Sequence, residues 1–377
     1  MIIHDFLNWV ETAPEGPRAE AAGALARAWL FSDLDEETRC GASAALTLLL
    51  EDPSEDVRMT LAQNLARSTD APRHIILSLA QEHGDIASVV LSQSPLLSDV
   101  ELIDGLAHPD VEVHQAIAQR RSLSPSVAAA IAEVSDSVTC AALLDNTSAR
   151  LVPSTLVRLA ERFSSEPLVR ERLLKCRDLP LDIRHVLLLA HARALRSDED
   201  EPSEEVLSDV SDRFALRLMQ GVSDAQLELL GHSLRARGLL NTRLLLRAVC
   251  CGRFRFFAIA LAILSGMPEG RVSDALFAAR PAALRAVLRK AGLPMRTHQA
   301  FQLAIDIARE GGADLGQDLP LHMARGLTER LLAELQDEAL GSDGDILGFL
   351  RRFSVEVARL EARDYLRQTA QKVLSAA

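Results

Sequence analysis

The stretch LSQSPLLSDVELIDGLAHPDVEVHQAIAQRRSLSPSVAAAIAE, residues 91–133, decides the fold. It repeats one pattern: a tetrad (LSQS at 91–94, IAQR at 117–120), then a Ser-containing turn, then a second apolar helix. Outside this stretch the tetrad recurs as LAQN at 61–64, LLDN at 143–146 and LLKC at 173–176, so its starts are 30, 26, 26 and 30 residues apart. Four residues before each start stand Val57, Ala87, Val113, Thr139 and Val169. Four residues is about one helical turn, which puts each pair on one helix face. The turns carry helix-start chemistry: Ser98 with Glu101 spells a capping box, and Ser124 precedes Pro125, suited to the first helical position. A repeat of 26–30 residues holding two short helices cannot bury its own apolar face. It must stack on its neighbours, so the spacing predicts a HEAT-like α-solenoid. The competing reading is a non-repetitive helical bundle whose spacings coincide.

The chain on either side extends this reading. Residues 18–30 and 36–50 read as two helices of a capping unit, which a solenoid needs to cover its terminal apolar face. After residue 195 comes RSDEDEPSEE (196–205), with six carboxylates, one Arg and one Pro. It is either a linker or a solvated loop. Helical patterns then resume, with a second capping box at Ser223 and Gln226, and further helices expected over 241–250, 253–265, 271–278, 281–290, 296–309, 321–337 and 343–374. Glycine and proline, Gly252 and Gly266 among them, fall between these patterns. No strand alternation is present. The fold class expected is all-α: a helical repeat solenoid over 1–195 followed by a C-terminal helical domain over 206–377.

Composition agrees. The 377 residues are 48% hydrophobic and only 4% aromatic, so the core must be built from Leu, Ala, Val and Ile. Five Cys without regular spacing exclude a disulfide framework and point to a reducing compartment. The opening MIIHDFLNWVETAPEG has no basic stretch and is not expected to be a signal peptide. The longest uncharged apolar run, FFAIALAILSGM at 256–267, spans about 18 Å as a helix, short of the ~30 Å of a bilayer core. It is expected to be a buried helix. The expected location is the cytoplasm, with no membrane association.

Several stretches resemble a bacterial family known as "domain of unknown function 2336": RAEAAGALARAWL (18–30), ALTLLLEDPSEDVR (45–58), LSQSPLLSDVELI (91–103), IAQRRSLSPSVAAAIAE (117–133), LLNTRLLLRAVCCGRFRFFAIALAILSGMP (239–268) and LRAVLRKAGLP (284–294). The tetrad region also resembles HEAT-like and leucine-rich-variant helical repeats. The resemblance implies an all-helical bacterial protein and transfers no catalytic or binding residues.

Charge supplies the functional clue. The net charge is -12, which argues against bulk nucleic-acid affinity. Yet residues 235–296 hold eleven Arg and one Lys against Glu269 and Asp274 alone, a local +10 that leaves -22 for the remainder. Arg243 and Arg247 share a helical spacing, as do Arg285 and Arg289, while Arg253 and Arg255 flank Phe254. Arginine forks suit phosphate or carboxylate, so these six are the candidate anion- or partner-binding residues. The alternative is that the basic block neutralises the acidic remainder.

Familiar reaction chemistry is missing. No G-x-G-x-x-G, Walker A, G-x-S-x-G, H-E-x-x-H or C-x-x-C motif occurs, and GGADLG at 311–316 lacks the Lys-Ser/Thr of a P-loop. His185 and His191, like His108 and His114, are six apart and do not share a helix face as zinc ligands would. His185 reads as a structural histidine before it reads as a phosphoacceptor. Adjacent Cys250 and Cys251 read as buried thiols. In 343–374, Ile346, Phe349, Phe353, Val357 and Leu360 form a stripe for core packing or a dimer seam. The expected function is therefore non-catalytic: a protein-interaction scaffold or adaptor without cofactor or metal. Its expected partner is another protein, an acidic one among the options. The alternative is a regulator binding a nucleotide or nucleic acid through residues 235–296.

Overall fold

The computed structural model describes residues 9–10, 12–195, 204–277, 281–338 and 344–376, and among these the chain is helix and turn with no strand. It divides into two compact units, Met1–Leu179 and Pro180–Ala377.

The first unit contains α1 (Glu15–Phe31), α2 (Glu36–Leu48), α3 (Glu55–Leu65), α4 (Arg73–Leu79), α5 (Gly84–Gln93), α6 (Asp99–Asp104), α7 (Val111–Ala118), α8 (Pro125–Val134), α9 (Ser137–Asp145), α10 (Pro153–Phe163) and α11 (Pro167–Lys175). Helices two apart in the chain pack together. One layer runs α1, α3, α5, α7, α9, α11, and the other runs α6, α8, α10. This is the solenoid-like stack that the repeat spacing predicts. Its spine is the tetrad set: Val57, Leu61, Ala87, Leu91, Val113, Ile117, Thr139, Leu143, Val169 and Leu173 are each at most 1% exposed. A continuous apolar cluster extends from Ala22 to Leu143.

Local chemistry sets the helix starts. The Ser98–Glu101 capping box opens α6, and the Ser124 hydroxyl accepts from the Val127 amide with Pro125 at the first helical position of α8. In two repeats the last tetrad residue ties the repeat to the previous one. Asn146 donates to the carbonyls of Ala118 and Arg120, 2.8 Å each, and Arg120 donates to those of Leu91 and Ser94. These carbonyls lie at helix C-termini, where no intrahelical donor reaches them. The two helices expected over 18–30 and 36–50 form as α1 and α2; α1 packs on α3 through buried Ala22 and Ala26, and Arg18 clasps Asp52 with two 2.9 Å hydrogen bonds.

The second unit contains α12 (Leu181–Ala194), α13 (Glu204–Leu218), α14 (Asp224–Ala236), α15 (Thr242–Cys250), α16 (Phe254–Ser265), α17 (Glu269–Phe277), α18 (Pro281–Lys290), α19 (Met295–Glu310), α20 (Leu321–Glu338) and α21 (Gly344–Ala376). The units divide ahead of α12 because α12 packs on α13 and α14. Of the acidic segment 196–205, residues 196–203 lie outside the described residues.

The apolar run becomes α16, with Phe254, Phe256, Phe257, Ile259 and Leu261 all buried. Burying each such side chain contributes about 1.5–3 kcal/mol. Among the described residues no helix is long and apolar enough to cross a membrane. Gly252, between α15 and α16, sits at φ +68°, and a Cβ there would lie 2.4 Å from the Leu319 Cβ. Glycine is required at this turn both by its left-handed backbone and by the close approach of Leu319. On α21, Phe353 and Val357 are buried and Ile346 and Phe349 pack against the same core, as the core-packing reading expects. The side chain of Leu360 lies outside the described residues.

Candidate functional site

Three helices that are distant in sequence frame a cavity of about 580 Å³ in the second unit. From α13 come Val206, Asp209, Val210, Arg213, Phe214, Leu216 and Arg217. Their spacings of three and four place them on one stripe. Arg243 and Arg247 come from α15. From α21 come Phe349, Arg352, Phe353, Val355, Glu356, Arg359 and Arg363, also spaced as a stripe. Among the described residues seven guanidiniums thus line the cavity against two carboxylates, with Asp212 buried behind them.

The floor is a closed electrostatic network. Arg247 is 4% exposed and pairs with Asp209, while its guanidinium lies 3.6 Å from Asp212 and 3.9 Å from Glu356. It also sits over the Phe349 and Phe353 rings, 5.4 and 5.3 Å from their centroids. Its Nε is buried without a hydrogen-bond partner among the described residues. Arg243 donates from Nε to Asp212 Oδ2 at 2.9 Å and also bonds Ser208. Arg213 bridges Asp209 at 2.8 Å and Glu356 at 2.5 Å, joining α13 to α21. Burial pushes the Asp212 carboxyl up to about 6, outweighing the pull of Arg243 and Arg247.

The rim differs. Arg217, Arg352, Arg359 and Arg363 are exposed and have no carboxylate partner among the described residues. Three arginines therefore share three carboxylates below, and four more face the opening above. Such an arrangement can hold an anion. The guanidiniums themselves do not carry protons, because they stay charged throughout the accessible pH range.

The six sequence-predicted arginines do not form one site. Arg243 and Arg247 line the groove. Arg253 is 5% exposed and pairs with Asp318 at 3.1 Å, and Arg255 pairs with Asp224. Burial raises the Asp318 carboxyl against the opposing pull of Arg253. Arg285 and Arg289 are exposed on α18 and have no ion-pair partner among the described residues. The sequence reading missed Arg213, Arg217, Arg352, Arg359 and Arg363. They obey the same spacing rule, but interleaved acids such as Asp209, Asp212 and Glu356 hide them from a count of local charge.

Other candidate groups have structural roles. His185 is 1% exposed and meets Ser211 through its carbonyl at 3.1 Å and its hydroxyl at 3.2 Å. Burial lowers its pKa. Burial likewise pushes the Cys250 thiol up and the Cys251 thiol up to about 12, so neither supplies a thiolate near neutral pH. Among the described residues no group of His, Cys, Asp and Glu could hold a metal ion.

Residues 86–341 match the profile of a family described as "Uncharacterised protein conserved in bacteria (DUF2336)". No curated protein and no solved structure matches the chain. The match covers α13 and α15 of the groove and ends before α21.

Proposed function

The chain belongs to the bacterial DUF2336 family, and on that premise we propose that it is a non-catalytic, cytoplasmic adaptor that holds an anionic partner protein in the arginine-lined groove. The reading rests on the four rim guanidiniums, Arg217, Arg352, Arg359 and Arg363, which have no carboxylate among the described residues and open onto a ligand-sized cavity of about 580 Å³. Arginine is the side chain suited to recognising carboxylates by paired hydrogen bonds. The first unit, read as a HEAT-like array, supplies the extended face typical of stacked helix pairs.

The test is a pulldown with mass spectrometry using the full chain and a triple variant, Arg217→Glu, Arg359→Glu and Arg363→Glu, with circular dichroism as a folding check. The expected result is selective loss of acidic partners by a variant that still folds. Unchanged capture by the folded variant overturns the proposal. A second variant, Arg285→Glu with Arg289→Glu, addresses the alternative of nucleotide or nucleic-acid binding through residues 235–296. Those two arginines are that segment's exposed helical pair. Polyanion binding lost in this variant and kept in the triple variant would favour the alternative.

A further inference from the structure

The groove walls specify more than negative charge. On α13 the stripe runs from Val206 to Arg217, and on α21 from Arg352 to Arg363. Each covers eleven residue steps, about 16 Å of helix. Both stripes mix aliphatic and cationic side chains: Val206 is 39% and Val355 53% exposed at the opening, beside the rim arginines. A phosphate-only ligand would satisfy the guanidiniums and leave these valines in water. A neutral apolar helix would cover the valines and leave the guanidiniums without counter-charge. One occupant satisfies both, with carboxylates and aliphatic side chains alternating at helical spacing.

Resting on the adaptor reading above, we infer that the groove receives an acidic amphipathic segment of the partner protein, helical over about eleven residues. The cavity accommodates one face of that segment's side chains. Its aliphatic residues cover Val206 and Val355, and its carboxylates meet Arg217, Arg359 and Arg363. The buried, partly unpartnered Arg247 stays in the floor network and is not required to move.

The experiment uses the full chain and fluorescence anisotropy with labelled peptides of about fourteen residues. The first carries Glu and Leu on one helical face, the second has the same composition scrambled, and the third is the first with Glu replaced by Gln. Inorganic tripolyphosphate serves as competitor. The first peptide is expected to bind at least tenfold more tightly than the other two. Arg359→Glu with Arg363→Glu, and separately Val355→Asp, should each weaken it about tenfold or more, with Arg285→Glu/Arg289→Glu without effect. Equal binding of the scrambled peptide, or tripolyphosphate binding more tightly than the first peptide, overturns the amphipathic-segment inference and leaves the anion-binding reading standing. Failure of the adaptor reading appears separately, as unchanged protein capture by the triple Arg→Glu variant.

Discussion

In the first unit Arg120, Arg158, Arg162 and Arg172 each reach back 25–30 residues, one repeat, to a carbonyl or carboxylate of the preceding helices. In the second unit Arg217, Arg352, Arg359 and Arg363 reach no carboxylate among the described residues and surround an opening. The charge totals run the other way. The first unit carries fifteen Lys and Arg against twenty-seven Asp and Glu, so the whole net charge of -12 resides there. The second unit is balanced, twenty-six against twenty-six. A neutral unit thus holds a cluster of arginines, because Asp209, Asp212 and Glu356 pair with the inner three while the outer four have no carboxylate partner among the described residues. Net charge reports solubility and long-range attraction, whereas a binding site depends on which charges lack partners.

The comparison can be broken most forcefully at the two cores. Ile117→Ala in the first and Phe257→Ala in the second remove fully buried side chains and should each cost about 3–4 kcal/mol. Scanning calorimetry is expected to show each variant lowering a different transition. A single shared transition for both would show that the units do not unfold separately. Gly252→Ala should follow at about 3 kcal/mol, adding left-handed strain to the Leu319 clash. Urea denaturation that finds it neutral would refute the account of that turn.

The groove and the repeat ties should differ in kind. Arg359→Glu with Arg363→Glu is expected to change stability by no more than about 0.5 kcal/mol, as for exposed sites, while weakening anion binding about tenfold or more. Asn146→Ala should do the reverse, costing about 1–2 kcal/mol by orphaning the Ala118 and Arg120 carbonyls and leaving anion affinity unchanged. Equilibrium unfolding and anisotropy on both variants separate the two effects.

The smallest effect expected is on pH. Asp212 is held near 6 in the folded chain, above its unfolded value, so between about pH 4 and 6 the folded state keeps a proton that the unfolded state has lost. Stability from this group is therefore full below that window and declines as pH rises through it. Protonation also removes a negative charge from beneath Arg243 and Arg247, in a network faced by Asp209, Glu356 and Arg213. Anion affinity should rise a few-fold from pH 7.5 to 5.5, and Asp212→Asn should abolish that change. A pH profile that persists in Asp212→Asn would assign the effect to another group.

Much of the fold is legible in the sequence. The tetrads place ten spine residues that are all buried, and the caps at Ser98, Ser124 and Ser223 open helices as their spacing predicts. Expected helices at 281–290 and 241–250 become Pro281–Lys290 and Thr242–Cys250. The site is legible only in part. The basic block points to Arg243 and Arg247, but Arg253 and Arg255 engage Asp318 and Asp224, and five groove arginines lie outside the block.

Helix periodicity, capping and the stacked spine act between residues one turn or one repeat apart, so the residue order by itself determines them. Ion pairing acts over about 3–4 Å through space. The tertiary structure alone decides that Arg213 meets Glu356, that Arg247 meets Asp209, and that four rim arginines share an opening with no carboxylate partner among the described residues. These contacts depend on where α13, α15 and α21 come to rest, which neither local charge nor local spacing encodes.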